Sequence, residues 1–230
     1  MQVHLIRIDH SRNLDDYKTL YPLLNRETKE KISKFLNADD KIRSLLSHLF
    51  LKILISRELG CDLMDIKFGY EKHGKPYLLS SKGLSFNISH SGEFIAIAIS
   101  NVNIGIDIQE CVDLDYEELA MRYFSKQEHN YISNASNIKE NFFRIWTLKE
   151  SYLKARGSGL HTPLNSFYFL LKNNEINLYH EGNNTMFYFY SEIVHDEYHM
   201  SICSSREIES FELQEYNQVE LDTLLLLGGK

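Results

Sequence analysis

The chain has 230 residues, and 43% of them are hydrophobic, which is enough for one substantial core or two smaller ones. A formal net charge of −7 argues against nucleic-acid binding, because an acidic surface is not attracted to a phosphate backbone. Three widely separated cysteines argue against a zinc site or a disulfide scaffold. No apolar run reaches the length that crosses a membrane and no signal peptide is recognisable, so we expect a cytoplasmic protein.

The N-terminal part of the sequence predicts one strand followed by two helices. Residues 2–9 alternate in polarity like a strand, and residues 26–36 predict a short helix. Residues 39–59 have the clearest helical pattern of the chain, and Gly60 is the expected end of that helix. The apolar positions with the i, i+3, i+4 and i+7 spacing are Ile42, Leu45, Leu46, Leu49, Phe50, Ile53 and Leu54.

Strands dominate the middle of the sequence. Predicted strands cover residues 66–70, 84–90, 94–99 and 104–108. The third of these is wholly apolar and should be buried. The break at residues 101–103 is the best candidate boundary, and it divides the chain into an N-terminal half, residues 1–103, and a C-terminal half, residues 104–230.

The C-terminal half mixes helices and strands, so the fold class is α+β. Ser125 and Glu128 have the spacing of a capping box, which predicts the start of a helix. A longer helix is expected over residues 141–156. Further predicted strands cover residues 167–171, 186–194 and 198–203, with a turn at residues 182–184 between the first two.

The predicted strand at residues 104–109 has two chemically different faces, because side chains alternate along a strand. Its isoleucines form an apolar face that should pack on the core. Asp107 and Gln109 lie on the opposite face, together with Gly105, which would allow a ligand to approach the backbone. When such a pattern occurs alone, a solvated edge strand is the commoner explanation.

The helix predicted over residues 141–156 places Thr147, Glu150 and Lys154 on one side, at about 100° per residue. A surface ion pair between Glu150 and Lys154 would explain this spacing and would contribute about 0.2–0.5 kcal/mol. Lys149 points into the apolar arc of the helix. Its ammonium group therefore either extends to the surface or serves a buried partner.

Asp107 and Glu150 together could offer two carboxylates to one cation. Mg²⁺ commonly takes one or two carboxylates, while phosphate oxygens and water complete its octahedron. Gln109, on the same strand face as Asp107, is the natural third ligand. Residues that could hold phosphate groups are scattered, although each is more often a solvated surface residue; they are Lys29, Lys31, Arg43, Lys75, Ser89 and His90.

Several short motifs occur in a fixed order along the chain. They are residues 74–77 (Gly-Lys-Pro-Tyr), 86–91 (Phe-Asn-Ile-Ser-His-Ser), 104–108 (Ile-Gly-Ile-Asp-Ile), 124–125 (Phe-Ser) with Glu128, and Trp146, Lys149, Glu150, Ser151, Lys154, Gly157, Gly159 and Leu160. Each short motif is weak, whereas the ordered set is highly specific. In this order, the motifs resemble those of the 4′-phosphopantetheinyl transferases of the Sfp type.

The resemblance implies two similar α/β halves related by a pseudo-two-fold, with coenzyme A bound in the cleft between them. The implied reaction moves the 4′-phosphopantetheine arm of coenzyme A to a serine of an apo acyl or peptidyl carrier protein and releases adenosine 3′,5′-bisphosphate. Relatives of this length imply a monomer, because both halves of the cleft come from one chain.

The resemblance also implies roles for individual residues. Asp107 and Glu150 would bind Mg²⁺, with Gln109 standing where many relatives have a second acid. Lys154 would approach the diphosphate, and either Glu150 or a water on the metal would take the serine proton. Contacts with coenzyme A are implied for Lys31, Arg43, Lys75, Ser89, His90, Lys149 and Lys154.

Two other functions stay open at this point. Gln109 could mark a non-catalytic module that binds coenzyme A or a carrier protein. A phosphohydrolase with the same Mg²⁺ site would instead release free phosphopantetheine without an acceptor. The retained charged residues of the motif favour the enzyme, while the carrier, whether it serves fatty acid or secondary-metabolite synthesis, is not identified by the sequence.

Overall fold

The computed structural model describes residues 1–79, 83–173, 175–180 and 183–228. Its strands are β1 (Gln2–Arg7), β2 (Phe68–Tyr70), β3 (Pro76–Leu78), β4 (Ser85–Ser91), β5 (Phe94–Ser100), β6 (Ile104–Glu110), β7 (Phe167–Lys172), β8 (Glu175–His180), β9 (Asn183–Asn184), β10 (Tyr188–Val194), β11 (Tyr198–Ser204) and β12 (Glu212–Tyr216). Its α-helices are α1 (Arg26–Ser33), α2 (Ala38–Leu59), α3 (Tyr116–Tyr123), α4 (Lys126–Ser133), α5 (Ile138–Arg156) and α6 (Gln218–Gly228). Short 3₁₀ helices cover Leu14–Leu23, Leu63–Asp65, Gly159–His161 and Leu164–Ser166.

Two halves of the chain repeat the same order of elements. Residues 2–100 and residues 104–204 each begin with a strand, continue through two short helical segments and one long helix, and end with a hairpin and an antiparallel pair of strands. The first sheet has the order β12-β1-β5-β4, and the second has the order β10-β11-β6. In each sheet the first strand of the half pairs with the last, so the predicted α+β fold of two similar halves is confirmed.

Three apolar cores hold these layers together. The predicted apolar face of α2, including Leu45, Leu49 and Phe50, packs on the first sheet in the largest core. A second core surrounds α5. The isoleucines of β6 lie in a third core, which also contains residues of β1, β5 and β11 and therefore joins the two sheets.

A polar seam joins the facing edges of the two sheets, β4 and β6. We use this name for the side chains of Asn87, Ser89 and Ser91, which alternate along one face of β4, and their partners on β6. Asn87 Oδ1 accepts from the backbone N–H of Ile106, and Ser91 Oγ accepts from that of Glu110. Ser89 Oγ donates to the Asp107 carboxylate at 2.8 Å. The seam therefore fixes β6 against the N-terminal half through side chains instead of a backbone ladder.

Gly105 serves helix packing, which corrects the expectation that it leaves room for a ligand. A Cβ atom at this position would collide with the carbonyl oxygen of Ser151 and the backbone nitrogen of Ala155. The backbone of α5 thus lies directly against β6. This close approach carries the polar side of α5 to the strand that bears Asp107.

Several elements were not expected from the sequence. The pattern predicted no helix at α3 or α6 and no strand at β8 or β12. The turn predicted at residues 182–184 is wrong for Asn183–Asn184, which pair with β8 as a short strand, and Gly182 lies outside the described residues. The segment from residue 212 to 228 returns to the N-terminal half, where β12 pairs in parallel with β1. The boundary at residues 101–103 remains a prediction.

Candidate active site

A cavity of about 530 Å³ lies between the halves and brings together most of the predicted site residues. The N-terminal half contributes α1, α2, β2, β3 and β4, and the C-terminal half contributes β6 and α5. The predicted residues that line it are Lys31, Ser89, His90, Asp107, Gln109, Glu150 and Lys154. Arg43, Lys75 and Lys149 do not line it.

Asp107 projects from the middle of β6 and is only 5% exposed. Its Oδ1 atom accepts from Ser89 Oγ at 2.8 Å and from Lys154 Nζ at 2.7 Å. Its Oδ2 atom is buried and has no hydrogen-bond partner among the described residues. Burial raises the pKa of Asp107, against the opposing effect of the Lys154 charge. The carboxylate is therefore held at one oxygen and free at the other.

Glu150 and Gln109 lie beside Asp107, and none of the described residues is a hydrogen-bond or ion-pair partner of their side chains. Glu150 is half-buried on α5, and within the described ranges it makes neither an ion pair nor a hydrogen bond. Burial raises the pKa of Glu150, and the nearby Asp107 charge raises it further. Gln109 also lines the cavity, with its side chain free. The regular register between β6 and β11 leaves Glu110 on the other side of the strand, beside Gly92.

The basic side chains that line the cavity are Lys31, His90 and Lys154. Burial lowers the pKa of His90 to about 4, and the charges of Lys154 and Arg43 add to this effect, so His90 is neutral at neutral pH. Lys154 is paired with Asp107. Burial also lowers the pKa of Lys31, which has no carboxylate partner within the part of the chain that is described, and an anionic ligand would supply the counter-charge that Lys31 lacks.

Arg43 and Lys75 are bound to other groups, so the structure does not bring them into the cavity. Arg43 donates to the Gly92 carbonyl oxygen and to Asp40. Lys75 Nζ lies 2.6 Å from the Ala155 carbonyl oxygen, and Asn103 Oδ1 and the Ile104 carbonyl oxygen accept its other two protons. The ammonium group of Lys75 thus joins the β2–β3 hairpin to the C-terminal end of α5.

Lys149 does not contact the cavity, which corrects the implied contact with coenzyme A. Both Lys149 and Glu128 have fully buried side chains, and their charged atoms are 2.9 Å apart. The ammonium group also donates to the carbonyl oxygens of Leu164 and Phe167. Since all three of its protons are used, Lys149 has the buried partner that the sequence left as an alternative.

Some lining residues were missed because they lie within the apolar pattern of α2. Ser44, Ser47 and His48 form a polar stripe at the i, i+3 and i+4 spacing, which is the signal that could have revealed them. The Nδ1–H of His48 donates to the Ser44 carbonyl oxygen, so its Nε2 atom is left for a ligand. Further lining residues that the sequence did not single out are Phe35, Tyr70, Pro76, Asn87, Ile88, Ile108 and Trp146.

The donors beside Asp107 fit a hard divalent cation. The free Oδ2 atom of Asp107, the Glu150 carboxylate and the Gln109 amide oxygen are all oxygen ligands, the type that Mg²⁺ prefers. Burial raises the pKa of both acids, and the Asp107 charge raises that of Glu150 further, so a bound cation would stabilise their ionised forms. No group of three or more His, Cys, Asp or Glu side chains suited to a metal occurs among the described residues.

Known proteins match the chain over most of its length. The family described as the 4′-phosphopantetheinyl transferase superfamily matches residues 103–203, and the family described as 4′-phosphopantetheinyl transferase, N-terminal, matches residues 11–102.

No helix within the described residues is long and apolar enough to cross a membrane.

Individual relatives agree with these matches. The 4′-phosphopantetheinyl transferase Sfp of Bacillus subtilis is 29% identical over 208 residues, which cover 89% of this chain and 92% of the relative. The 4′-phosphopantetheinyl transferase gsp of Aneurinibacillus migulanus is 30% identical over 208 residues, covering 87% and 86%. A crystal structure of Thermotoga maritima holo-[acyl-carrier-protein] synthase is 25% identical and covers 44% of this chain and 61% of its own, with a TM-score of 0.38. The chain belongs to the 4′-phosphopantetheinyl transferase superfamily.

Proposed function

We propose that this protein transfers the 4′-phosphopantetheine arm of coenzyme A to a serine hydroxyl of an apo carrier protein and releases adenosine 3′,5′-bisphosphate. The observation that carries the proposal is the free Oδ2 atom of Asp107 beside the unpaired Glu150, with Lys154 adjacent. A cavity with two acids at one place and the basic side chains of Lys31, His90 and Lys154 along its wall suits a diphosphate bound together with a metal ion.

We further propose that the transfer depends on Mg²⁺, held by Asp107, Glu150 and the amide oxygen of Gln109. When bound, the ion would neutralise phosphate charge and orient the diphosphate for in-line attack. The protein's own contribution is to keep one Asp107 oxygen occupied by Ser89 and Lys154, so that the other oxygen is left for the ion.

The reaction requires that the serine hydroxyl lose its proton and that the negative charge on the leaving oxygen be stabilised. The serine oxygen forms a bond to the β-phosphorus, and the bond from that phosphorus to the bridging oxygen breaks. Either Glu150 or a water molecule held beside it would take the serine proton. Lys154 stabilises the negative charge on the bridging oxygen, which leaves with the adenosine bisphosphate.

A carrier-loading assay tests the function directly. Coenzyme A, Mg²⁺ and several apo carrier proteins are incubated with the protein, and the carrier mass is measured. We expect a gain of one phosphopantetheine on a carrier serine. Bound coenzyme A without a mass gain would instead support a non-catalytic module, and free phosphopantetheine formed without a carrier would support a phosphohydrolase.

We also propose an oligomeric state and a cellular compartment for the protein. We propose a monomer, since both walls of the cavity come from one chain. Cys61, Cys111 and Cys203 are all free thiols, which suits a reducing cytoplasm. The identity of the carrier would follow from the loading assay, run with carriers from fatty acid and from secondary-metabolite synthesis.

His90 should make coenzyme A binding depend on pH. Burial and the charges of Lys154 and Arg43 keep the pKa of His90 at about 4, while Asp40 acts in the opposite direction. A phosphate beside His90 stabilises the charged imidazole and raises this pKa, so binding takes up a proton. The affinity of the wild type, relative to His90→Gln, should therefore increase as the pH falls from about 7.5 to about 5.5.

Calorimetric titration with coenzyme A at several pH values measures this difference. Protonation of the ligand's own phosphate groups also changes the affinity with pH. This contribution is common to the wild type and His90→Gln, so it cancels in the difference between them. If the affinities of the two proteins change with pH to the same extent, His90 does not contact the phosphates.

A further inference from the structure

Ser89, Asp107 and Lys154 form a closed ring of hydrogen bonds at the metal-facing end of the cavity. Lys154 Nζ donates to Ser89 Oγ and to Asp107 Oδ1, both at 2.7 Å. Ser89 Oγ donates in turn to the same Oδ1 atom at 2.8 Å. Each member of the ring is therefore bonded to both others.

The ring leaves the Ser89 hydroxyl without a proton to offer a ligand. A serine hydroxyl has one proton, and Asp107 accepts it. Ser89 is also buried, with 5% of its surface exposed. A hydrogen bond from this hydroxyl to a phosphate of coenzyme A would first have to release the buried carboxylate. The geometry thus favours Asp107 as the partner of Ser89 over the phosphate contact that the family resemblance implies.

The same bonds determine which Asp107 oxygen is available. Oδ1 accepts two hydrogen bonds, whereas Oδ2 accepts none from the described residues. Ser89 is itself fixed by the pairing of β4 with β5, where it lies opposite Ala96. The N-terminal half therefore sets the rotation of a carboxylate that belongs to the C-terminal half.

We propose that Ser89 is a positioning residue, which holds the Asp107 carboxylate so that Oδ2 is presented to the divalent cation. This inference rests on the proposed function, because it assumes that Asp107 binds the ion. Groups that orient a metal ligand typically change metal affinity by about 10–100-fold when they are removed. A residue that binds a coenzyme A phosphate would change the KM for coenzyme A instead.

Ser91 provides a matched control on the same face of the same strand. Its hydroxyl also crosses the seam, but it accepts from the backbone N–H of Glu110 and does not touch Asp107. Ser89→Ala and Ser91→Ala therefore remove equivalent side chains from the seam. Only the first removes a bond to the proposed metal ligand.

The experiment measures Mn²⁺ binding to each protein by electron paramagnetic resonance without coenzyme A, and then kcat and the KM for coenzyme A in carrier loading. We expect Ser89→Ala to weaken Mn²⁺ binding about 10–100-fold and to lower kcat, with the KM within about twofold. Ser91→Ala should match the wild type in Mn²⁺ affinity. Thermal unfolding of both variants checks that each is folded.

Other results would overturn the inference. If Ser89→Ala raises the KM for coenzyme A and leaves Mn²⁺ affinity unchanged, Ser89 is a phosphate ligand. If both variants lose Mn²⁺ affinity equally, the cause is a general disturbance of the polar seam and not the loss of the bond from Ser89 to Asp107. Loading by the wild type decides the transfer activity separately, so a transferring wild type that binds no Mn²⁺ would refute the proposed metal site and the role of Ser89 but not the transfer itself.

Discussion

Replacing Asp107 by Asn should lower kcat/KM for carrier loading on the order of 10³-fold. The change removes one of the two carboxylates proposed to hold Mg²⁺ and also the charge that pairs with Lys154. The amide has nearly the same shape as the carboxylate and preserves the packing against Ser89. The loss of kcat/KM therefore reflects the missing charge more than a change in side-chain volume. Initial rates of carrier loading over a range of Mg²⁺ concentrations measure the effect.

Asp15→Asn is the matched control for this substitution. Asp15 is an exposed acid that pairs with Lys18 on the 3₁₀ helix Leu14–Leu23 and does not line the cavity. Its loss should change neither kcat nor the KM. A loading rate of Asp107→Asn within about tenfold of the wild type would show that this carboxylate is not required, and the proposed metal site would be wrong.

Replacing Lys149 by Met should lower the free energy of unfolding by about 3–5 kcal/mol. Met fills a similar volume, but it leaves the Glu128 carboxylate buried without its counter-charge. Glu128 keeps hydrogen bonds from the backbone N–H of Phe169 and from Ser125, and these do not replace the lost cation. Denaturant unfolding measures the loss, and a fall in Tm on the order of 10 °C should accompany it.

Two further variants test whether the loss of stability comes from the burial of the Lys149–Glu128 pair or from the loss of any ion pair. Arg26→Met breaks the exposed Arg26–Glu30 pair, whose side chains are 91% and 57% exposed, and should cost less than about 1 kcal/mol. The double variant Lys149→Met/Glu128→Gln removes both buried charges and should recover much of the lost stability. If Lys149→Met costs no more than Arg26→Met, the buried pair does not stabilise this fold.

The sequence could predict which face of its element each acid occupies, but not that the two faces meet. Alternation placed Asp107 opposite the isoleucines of β6, and helical periodicity placed Glu150 and Lys154 together on α5. Their convergence depends on the close approach of α5 to β6, which Gly105 permits. That contact joins residues about 45 positions apart and has no signature in the local pattern, so only the family resemblance pointed to it.

Some predicted contacts with phosphate groups were wrong or remain open, mainly because other groups of the protein bind the same side chains. Lys75 and Lys149 are cations in motifs that suggested phosphate contacts, yet carbonyl oxygens and Glu128 occupy their protons. Such acceptors come from distant segments, and a sequence pattern shows only the donor. The exposed edge strand β12 was missed for a related reason, since it has few apolar residues and gains its order from pairing with β1.

The return of β12 to the first sheet means that the C-terminal half is anchored to its neighbour at both ends. One connection lies at residues 101–103, between β5 and β6, and the other at residues 205–211, between β11 and β12. The third core, which contains residues of both sheets, and the polar seam join the same two halves between these connections. We therefore expect the two halves to unfold together in one cooperative transition.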